Sequence, residues 1–299
     1  MLNYSETPFF ELQTEESKTQ RIRLLIKREG QNHPFVSGNK WWKLKYNLAE
    51  AINQGSKTVL TFGGAYSNHI YATAAAANEL GLKSIGIIRG EETLSLNTTL
   101  TFAKKQGMQL HYVSREEYRK KNEADFIQSL HDKYGEFYLI PEGGTNELAV
   151  QGCVELGGKL TSEIEFDYLC LPVGTGGTMA GIVSGFKGQK EIIGFSSLKG
   201  GSFLHEEVEK LQRNFSGISF SNWRIETQYH FGGYAKVPDD LKLFIRKAEA
   251  DHSFPLDPIY TSKMFYGVLD LMKKNYFRRG TTILLLHTGG LQGRAGFNF

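Results

Sequence analysis

The sequence has few cysteines, and none of them lies in a metal-binding pattern. Cys153 and Cys170 are the only two among 299 residues, and neither belongs to a C-x-x-C pair. A zinc site and a disulfide framework are therefore not indicated, and free thiols fit a reducing compartment. Cys170 lies in an apolar run, so we expect it in the core.

Long apolar segments and a large excess of one charge are also missing. No stretch approaches the ~20 apolar residues that a membrane-spanning helix needs, and residues 1–6 lack the basic and apolar regions of a secretion signal. The formal net charge is +3, and the basic runs 119–121 and 278–279 contain no interleaved aromatic residues. We therefore expect a cytoplasmic protein that binds neither membrane nor nucleic acid.

Short β-rich runs alternate with longer helical patterns along the chain. Strands are predicted over residues 22–27, 58–62, 84–88, 109–113, 137–140, 168–173, 191–197 and 282–287. Helices are predicted over residues 41–54, 68–80, 97–106 and 116–133, and from residue 147. This alternation predicts an α/β protein with mostly parallel sheets, and the length favours two domains. Residues 169–173 and 283–286 are apolar without alternation, which is typical of strands buried on both faces.

Pairs of adjacent glycines follow several predicted strands, where open parallel sheets bind their ligands. The best such segment is Gly174-Thr175-Gly176-Gly177-Thr178, which follows a strand and opens a helical pattern. Its backbone amides, helix dipole and hydroxyls suit a phosphate, although a tight strand–helix turn would explain the same glycines. No P-loop lysine or full dinucleotide fingerprint is present. The segment therefore favours a phosphorylated cofactor or a small sugar phosphate.

A second anion site is indicated at residues 63–69, Gly-Gly-Ala-Tyr-Ser-Asn-His. Ser67 or Asn68 can cap the alanine-rich helix that follows, and capping alone explains this segment as well as a binding role does. The helix N-terminus would also hold a carboxylate. A phosphate site together with a carboxylate site is what an amino-acid enzyme that uses pyridoxal 5′-phosphate (PLP) needs.

PLP chemistry also requires a lysine with a neutral amine, which desolvation or a nearby cation favours. Lys40 is followed by two tryptophans, and Lys43 is a second cation about one helical turn away. These local features do not distinguish Lys40 from the other lysines, most of which we expect on the surface.

Six ordered blocks resemble the 1-aminocyclopropane-1-carboxylate (ACC) deaminase and D-cysteine desulfhydrase family, within the tryptophan-synthase-β-like group of PLP enzymes. The resemblance runs from about residue 24 to residue 290. The blocks are Lys27-Arg28-Glu29 with Gly38-Asn39-Lys40 and Lys43-Leu44; Gly63-Gly64 with Ser67-Asn68-His69; Ile140-Pro141 with Gly143-Gly144; residues 174–178; residues 256–263; and His287-Thr288-Gly289-Gly290.

The resemblance implies a fold and an assembly. We expect two three-layer α/β domains with mostly parallel sheets and PLP in the cleft between them, which is fold type II. Residues 1–44 and 147–299 would form the large cofactor-binding domain, and residues 45–146 a small inserted domain. A homodimer acting on a small amino acid is also implied.

The resemblance further implies roles for matching positions. Lys40 would bind PLP covalently and take the Cα proton of the substrate. Ser67, Asn68 and His69 would hold the substrate carboxylate, with Asn68 also reaching the cofactor hydroxyl. Tyr260 and Tyr234 would lie near the cofactor ring and the substrate, so the implied catalytic set is Lys40, Ser67, Tyr234 and Tyr260. The implied cofactor-binding set is Lys40, Lys43, Asn68, Gly174, Thr175, Gly176, Gly177, Thr178, Thr261 and Thr288, and no metal is expected.

Two positions bear on the substrate. ACC deaminases resemble Tyr-Glu-Gly-Lys and His-Leu-Gly-Gly where this chain has Thr261 and Thr288, and desulfhydrases have threonine at both positions. A carboxylate near the pyridine nitrogen would strengthen the electron sink that ring opening needs, whereas a thiolate leaves readily without it. We therefore predict α,β-elimination of D-cysteine, with ACC deamination as the alternative. Trp42, which stands where the family usually has arginine, and the atypical segment after Gly290 keep a non-catalytic PLP-binding protein open.

Overall fold

A computed structural model describes residues 2–92 and 96–297. Ten strands lie within these ranges. They are β1 (Phe9–Leu12), β2 (Arg23–Lys27), β3 (Thr58–Gly63), β4 (Lys83–Arg89), β5 (Gln109–Val113), β6 (Tyr138–Ile140), β7 (Tyr168–Val173), β8 (Glu191–Ser196), β9 (Trp223–Glu226) and β10 (Thr282–Leu286).

Eleven α-helices connect these strands within the same ranges. They are α1 (Glu15–Gln20), α2 (Asn39–Asn53), α3 (Asn68–Glu79), α4 (Thr98–Lys105), α5 (Arg115–Arg119), α6 (Ala124–Tyr134), α7 (Glu147–Glu163), α8 (Gly177–Phe186), α9 (Leu204–Ser216), α10 (Asp239–His252) and α11 (Thr261–Lys273). None of the helices in the described part of the chain has the length and apolarity that crossing a bilayer requires.

The strands form two sheets. The larger has six strands in the order β1-β2-β10-β7-β8-β9, and the smaller has four in the order β5-β4-β3-β6. Every pairing is parallel except that of β1 with β2. The prediction of an α/β fold with mostly parallel sheets is confirmed.

The central strands of the larger sheet are buried on both faces, as their apolar runs predict. In β10, Ile283 and Leu285 pack in one hydrophobic cluster while Leu284 and Leu286 pack in another. Successive side chains of a strand point to opposite faces, so each cluster covers one face of the sheet. Cys170 of β7 is fully buried, as expected.

Four elements differ from the sequence-based prediction. The edge strands β1 and β9 and the six-residue helix α1 were not predicted, because none of them has a long apolar run. The predicted helix over residues 116–133 is two helices, α5 and α6. Tight hydrogen bonds from Lys120 N to Glu117 O and from Glu123 N to Lys120 O replace the helical ladder between them.

The smaller sheet draws all its strands from residues between 58 and 140. That distribution agrees with an inserted small domain, whose boundaries at residues 44 and 146 stay a prediction. Helix α2 runs without interruption across the first of these positions.

Candidate active site

A cavity of about 520 Å³ lies beyond the carboxyl ends of strands from both sheets. Its volume falls within the range of ~300–1,000 Å³ that is common for small-molecule sites. The segments that line it follow β3, β6, β7 and β10 and include residues 64, 67–69, 141–143, 145, 174–176, 178 and 288, together with the start of α2. The loops singled out in the sequence therefore meet in one place.

Lys40 lies on the cavity wall in the first turn of α2. The N-cap residue of α2 is Gly38, whose φ of +67° is a conformation that residues with a side chain rarely adopt. A Cβ on Gly38 would lie 1.9 Å from the carbonyl oxygen of Thr288. This close approach of Gly38 to Thr288 holds the backbone at the start of α2 in place. Lys40 is half-buried, and burial is the main cause that lowers its pKa to about 8.

Lys43 lies one turn further along the same helix and is fully buried. Its Nζ donates to the carbonyl oxygen of Gly143 at 2.7 Å and to Thr145 Oγ1 at 3.0 Å. Burial, followed by the charge of Lys40, lowers the pKa of Lys43 to about 7. The charge of Lys40 thus acts on Lys43, one turn away on the same helix, whereas the lowered pKa of Lys40 comes from burial.

Residues 174–178 have the geometry of a phosphate cradle. Helix α8 begins at Gly177, and its N-cap residue Gly176 has a φ of +81° with no side chain capping the helix. The first amides of such a helix lack intrahelical acceptors. A Cβ on Gly177 would lie 3.0 Å from Lys43 Nζ, so the position has little room for a side chain. Thr178 Oγ1 accepts from Asn39 Nδ2 at 2.8 Å, which ties the cradle to the turn that carries Lys40.

Residues 67–69 form the opposite wall at the start of α3. Ser67 caps the helix, and its Oγ accepts from the amides of His69 at 3.2 Å and Ile70 at 3.3 Å. Asn68 Oδ1 accepts from Gln292 Nε2. Ser67 and Asn68 are half-buried and line the cavity.

His69 points inward from the same segment. Its Nε2 hydrogen-bonds Thr61 Oγ1 at 2.8 Å, and its buried Nδ1 has no hydrogen-bond partner among the described residues. Burial, with the charges of Lys40 and Lys43, holds the pKa of His69 well below its ordinary value. The imidazole is therefore neutral at physiological pH.

Tyr234 and Tyr260 meet on the cavity wall. Their ring centroids lie 6.0 Å apart in an edge-to-face arrangement, and Tyr234 Oη donates to the carbonyl oxygen of Tyr66 at 3.5 Å. Burial is the main cause that raises the pKa of Tyr234 to about 12 and that of Tyr260 still further. Both phenols are consequently protonated and can donate to a ligand.

Thr261 and Thr288, on which the choice between D-cysteine and ACC rests, differ in their exposure to the cavity. Thr288 follows β10 and lines the cavity. Thr261 is fully buried and is not on the cavity wall. Its Oγ1 accepts from the amide of Asp257 at 3.0 Å and lies 3.4 Å from His287 Nε2. Because its hydroxyl is buried and hydrogen-bonded to Asp257, Thr261 does not lie at the site with the other predicted residues.

Asp257 is a supporting residue that sequence reasoning missed. Its buried carboxylate accepts from the amides of Ile259, Tyr260 and Thr261 at 3.2, 2.7 and 3.0 Å. These bonds fix the start of α11 and the backbone of Tyr260. Burial raises the pKa of Asp257 to about 6. Asp257 stands three residues before Tyr260, the N-cap of α11. A helix-start signal is an aspartate at the N-cap itself, so the capping pattern did not reveal this role.

Lys263 was also missed, and it supports the loop that carries Tyr234. Its side chain is 1% exposed, and its Nζ donates to the carbonyl oxygens of His230 at 3.0 Å and Gly233 at 2.8 Å. Phe231 and Ala235 have φ values of +50° and +54° in this loop, which non-glycine residues rarely adopt. A buried cation therefore holds a strained loop against the cavity.

Comparison with known proteins defines the class of the protein. A family model described as pyridoxal-phosphate dependent enzyme matches residues 1–289. The chain is 32% identical over 278 residues to a protein of Pyrococcus horikoshii provisionally named ACC deaminase, covering 90% of this chain and 84% of that protein. It is 31% identical over 291 residues to a mitochondrial bifunctional D-cysteine desulfhydrase/ACC deaminase of Arabidopsis thaliana, covering 90% and 73%. The chain belongs to the ACC deaminase and D-cysteine desulfhydrase family of PLP-dependent enzymes.

Solved structures agree with this assignment. An ACC deaminase homologue superposes with a TM-score of 0.84 at 29% identity, covering 97% of this chain and 91% of that one. A cystathionine β-synthase of Helicobacter pylori, at 16% identity and a TM-score of 0.73, shows the shared fold over 99% and 96% of the two chains. The expected fold type II architecture is confirmed. The uncapped start of α8, the crowded Gly177 and the pKa-lowered Lys40 all fit PLP.

Proposed function

We propose that the protein catalyses α,β-elimination of D-cysteine to pyruvate, hydrogen sulfide and ammonia. The carrying observation is that Thr288 brings a neutral hydroxyl to the cavity wall that also carries Lys40. The carboxylates among the described lining residues are those of Glu142 and Glu207. Glu142 accepts from Tyr118 at 2.7 Å and pairs with Lys121 at 3.4 Å, so its charge is already compensated.

The residues present suit PLP in one orientation. Residues 174–178 would hold its phosphate through the amides at the start of α8, and Lys40 would hold it covalently. When bound, PLP supplies an electron sink that stabilises negative charge at the substrate Cα.

Residues of this chain supply the other parts of the reaction. The amides at the start of α3, beside Ser67 and Asn68, would bind the substrate carboxylate. The neutral amine of Lys40 would accept the Cα proton, because its pKa of about 8 suits proton transfer near neutral pH. The protonated phenols of Tyr234 and Tyr260 would donate to the substrate.

The leaving group favours D-cysteine over ACC. In the elimination the Cα–H and Cβ–S bonds break, the sulfur leaves with the electron pair, and aminoacrylate hydrolyses to pyruvate and ammonia. Thiolate is a stable anion, so a neutral Thr288 suffices. Opening a cyclopropane produces a carbanion, which calls for more electron withdrawal than a hydroxyl provides. ACC deamination remains the second candidate because relatives carry that name.

The test compares substrates on purified, PLP-saturated enzyme. Pyruvate and sulfide are measured with D-cysteine and L-cysteine, and 2-oxobutanoate with ACC, using Lys40→Ala as the blank. We expect D-cysteine to give the highest kcat/KM. Faster conversion of ACC would contradict the proposal, and PLP binding without turnover of any of the three would favour a non-catalytic role. The homodimer and the cytoplasmic location stay predictions.

A further inference from the structure

Arg89 is a cavity-lining cation that the reaction above does not use. It is the last residue of β4 and lies on the wall formed by the smaller sheet. A Cβ added to Gly64 would lie 3.5 Å from its Nη2, so the guanidinium sits beside the loop that leads to Ser67. Its side chain is exposed to solvent and is part of the cavity lining.

The other cations of the cavity have fixed partners or an assigned role. Lys43 donates to Gly143 and Thr145, Lys121 pairs with Glu142, and Lys40 is the residue that would hold PLP. Arg89 has no carboxylate within 4.0 Å among residues 2–92 and 96–297. The guanidinium lies over the ring of Tyr118, with its Cζ 5.5 Å from the ring centroid.

The charge of Arg89 reaches the part of the cavity where the substrate would lie. It lowers the pKa of the Tyr234 phenol, against the larger effect of burial. Arg89 therefore lies beside Gly64 and lines the same cavity as Tyr234, within electrostatic range of its phenol. A substrate group that lies between Gly64 and Tyr234 would extend beyond the site for the α-carboxylate at the start of α3.

We infer that Arg89 makes the enzyme prefer amino acids whose β-substituent carries a second negative charge. The guanidinium would form charge-assisted hydrogen bonds with an oxyanion at the end of that substituent, a geometry that suits carboxylates. This inference rests on the proposed elimination and specifies its substrate class: small β-thio-substituted D-amino acids with an acidic tail.

A matched pair of substrates tests the inference. S-carboxymethyl-D-cysteine carries the extra carboxylate, and S-carbamoylmethyl-D-cysteine is its neutral counterpart of nearly the same shape. In each case the Cα–H and Cβ–S bonds break, and mercaptoacetate or mercaptoacetamide leaves as the thiolate. Both reactions yield pyruvate and ammonia, so one assay reports both.

We expect the PLP-saturated enzyme to prefer the charged substrate about tenfold in kcat/KM, the effect of one partly exposed charged hydrogen bond. Arg89→Met should abolish this preference and Arg89→Lys should keep part of it. Arg246→Met, which changes an exposed arginine of α10 that does not line the cavity, should leave it intact. Equal turnover of both compounds by the wild type would overturn the inference. An equal loss for both in Arg89→Met would also overturn it, because Arg89 would then bind a group that the two compounds share.

Calorimetric binding separates this inference from the proposed reaction. If neither compound nor D-cysteine is turned over, the proposed elimination fails. The same charged-over-neutral ratio in Kd, lost in Arg89→Met, would still support the role of Arg89. No ratio in Kd would refute it independently of the chemistry.

Discussion

The substitution Gly38→Ala should damage both stability and activity through backbone geometry. A Cβ at this position would lie 1.9 Å from the oxygen and 2.4 Å from the carbon of the Thr288 carbonyl. The φ of +67° and ψ of −140° are also strained for alanine, at a cost of ~1–3 kcal/mol. Relieving the clash requires α2 and the segment after β10 to separate.

Hydrogen bonds at this junction would weaken as well. The amide of Gly38 donates to Asn32 Oδ1 at 2.8 Å, and the amide of Asn39 donates to the Thr288 carbonyl at 3.2 Å. Each contributes ~1 kcal/mol, so the free energy of unfolding should fall by about 3–5 kcal/mol in total. Because Lys40 lies two residues further on, a shift of ~1 Å should lower kcat/KM by about 100-fold.

The same substitution at Gly158 is the matched control. This residue lies in α7, and nothing lies within 4 Å of an added Cβ. Gly158→Ala should leave activity unchanged and raise stability by up to ~1 kcal/mol. Circular-dichroism melting and a pyruvate assay measure both variants. If Gly38→Ala melts and turns over like the wild type, the close approach of Gly38 to Thr288 does not set the position of Lys40.

Three other predictions address individual residues. Burial lowers the pKa of Lys40 to about 8, so the rate of covalent loading of PLP onto apoprotein should rise about tenfold between pH 7 and 9 and then level off. Visible absorbance follows this loading. A rate that keeps rising towards pH 10.5 would show that Lys40 has the pKa of an ordinary lysine. Lys263→Met should lower the free energy of unfolding by about 1–3 kcal/mol. It should also lower kcat about tenfold, because the loop that carries Tyr234 loses its hydrogen bonds to Lys263. Lys274→Met, at an exposed ion pair, should change neither the free energy of unfolding nor kcat. Ser67→Ala should destabilise the protein by ~1 kcal/mol through the lost helix cap and raise the KM for the substrate; an unchanged KM would remove Ser67 from the carboxylate site.

The fold was largely readable because its signals are local. The apolar runs in β7 and β10 indicated strands buried on both faces, and the glycine-rich segments marked the ends of strands. The spacing of Lys40 and Lys43 predicted their proximity on one helix. These features depend on periodicity and short-range geometry, which a single sequence displays.

The missed features depend on contacts between distant residues. Lys263 donates to carbonyl oxygens about thirty residues earlier in the chain, and no local sequence pattern predicts that contact. Thr261 and Thr288 looked equivalent in the sequence, but Thr261 is buried in hydrogen bonds with Asp257 while Thr288 lines the cavity. Arg89 ends a strand as many exposed arginines do, and its place on the same cavity wall as Tyr234 follows only from the arrangement of the sheets.

The most direct test of the central claim is the visible absorption spectrum of the PLP-reconstituted protein. We predict a visible band from PLP bound to Lys40, which is lost in Lys40→Ala and kept in Lys45→Ala, a change on the same helix at the ion pair with Glu155. Adding D-cysteine should change the band as pyruvate and sulfide appear. A wild-type protein that takes up no PLP, or a band that survives in Lys40→Ala, would contradict the assignment of Lys40 as the cofactor-binding residue.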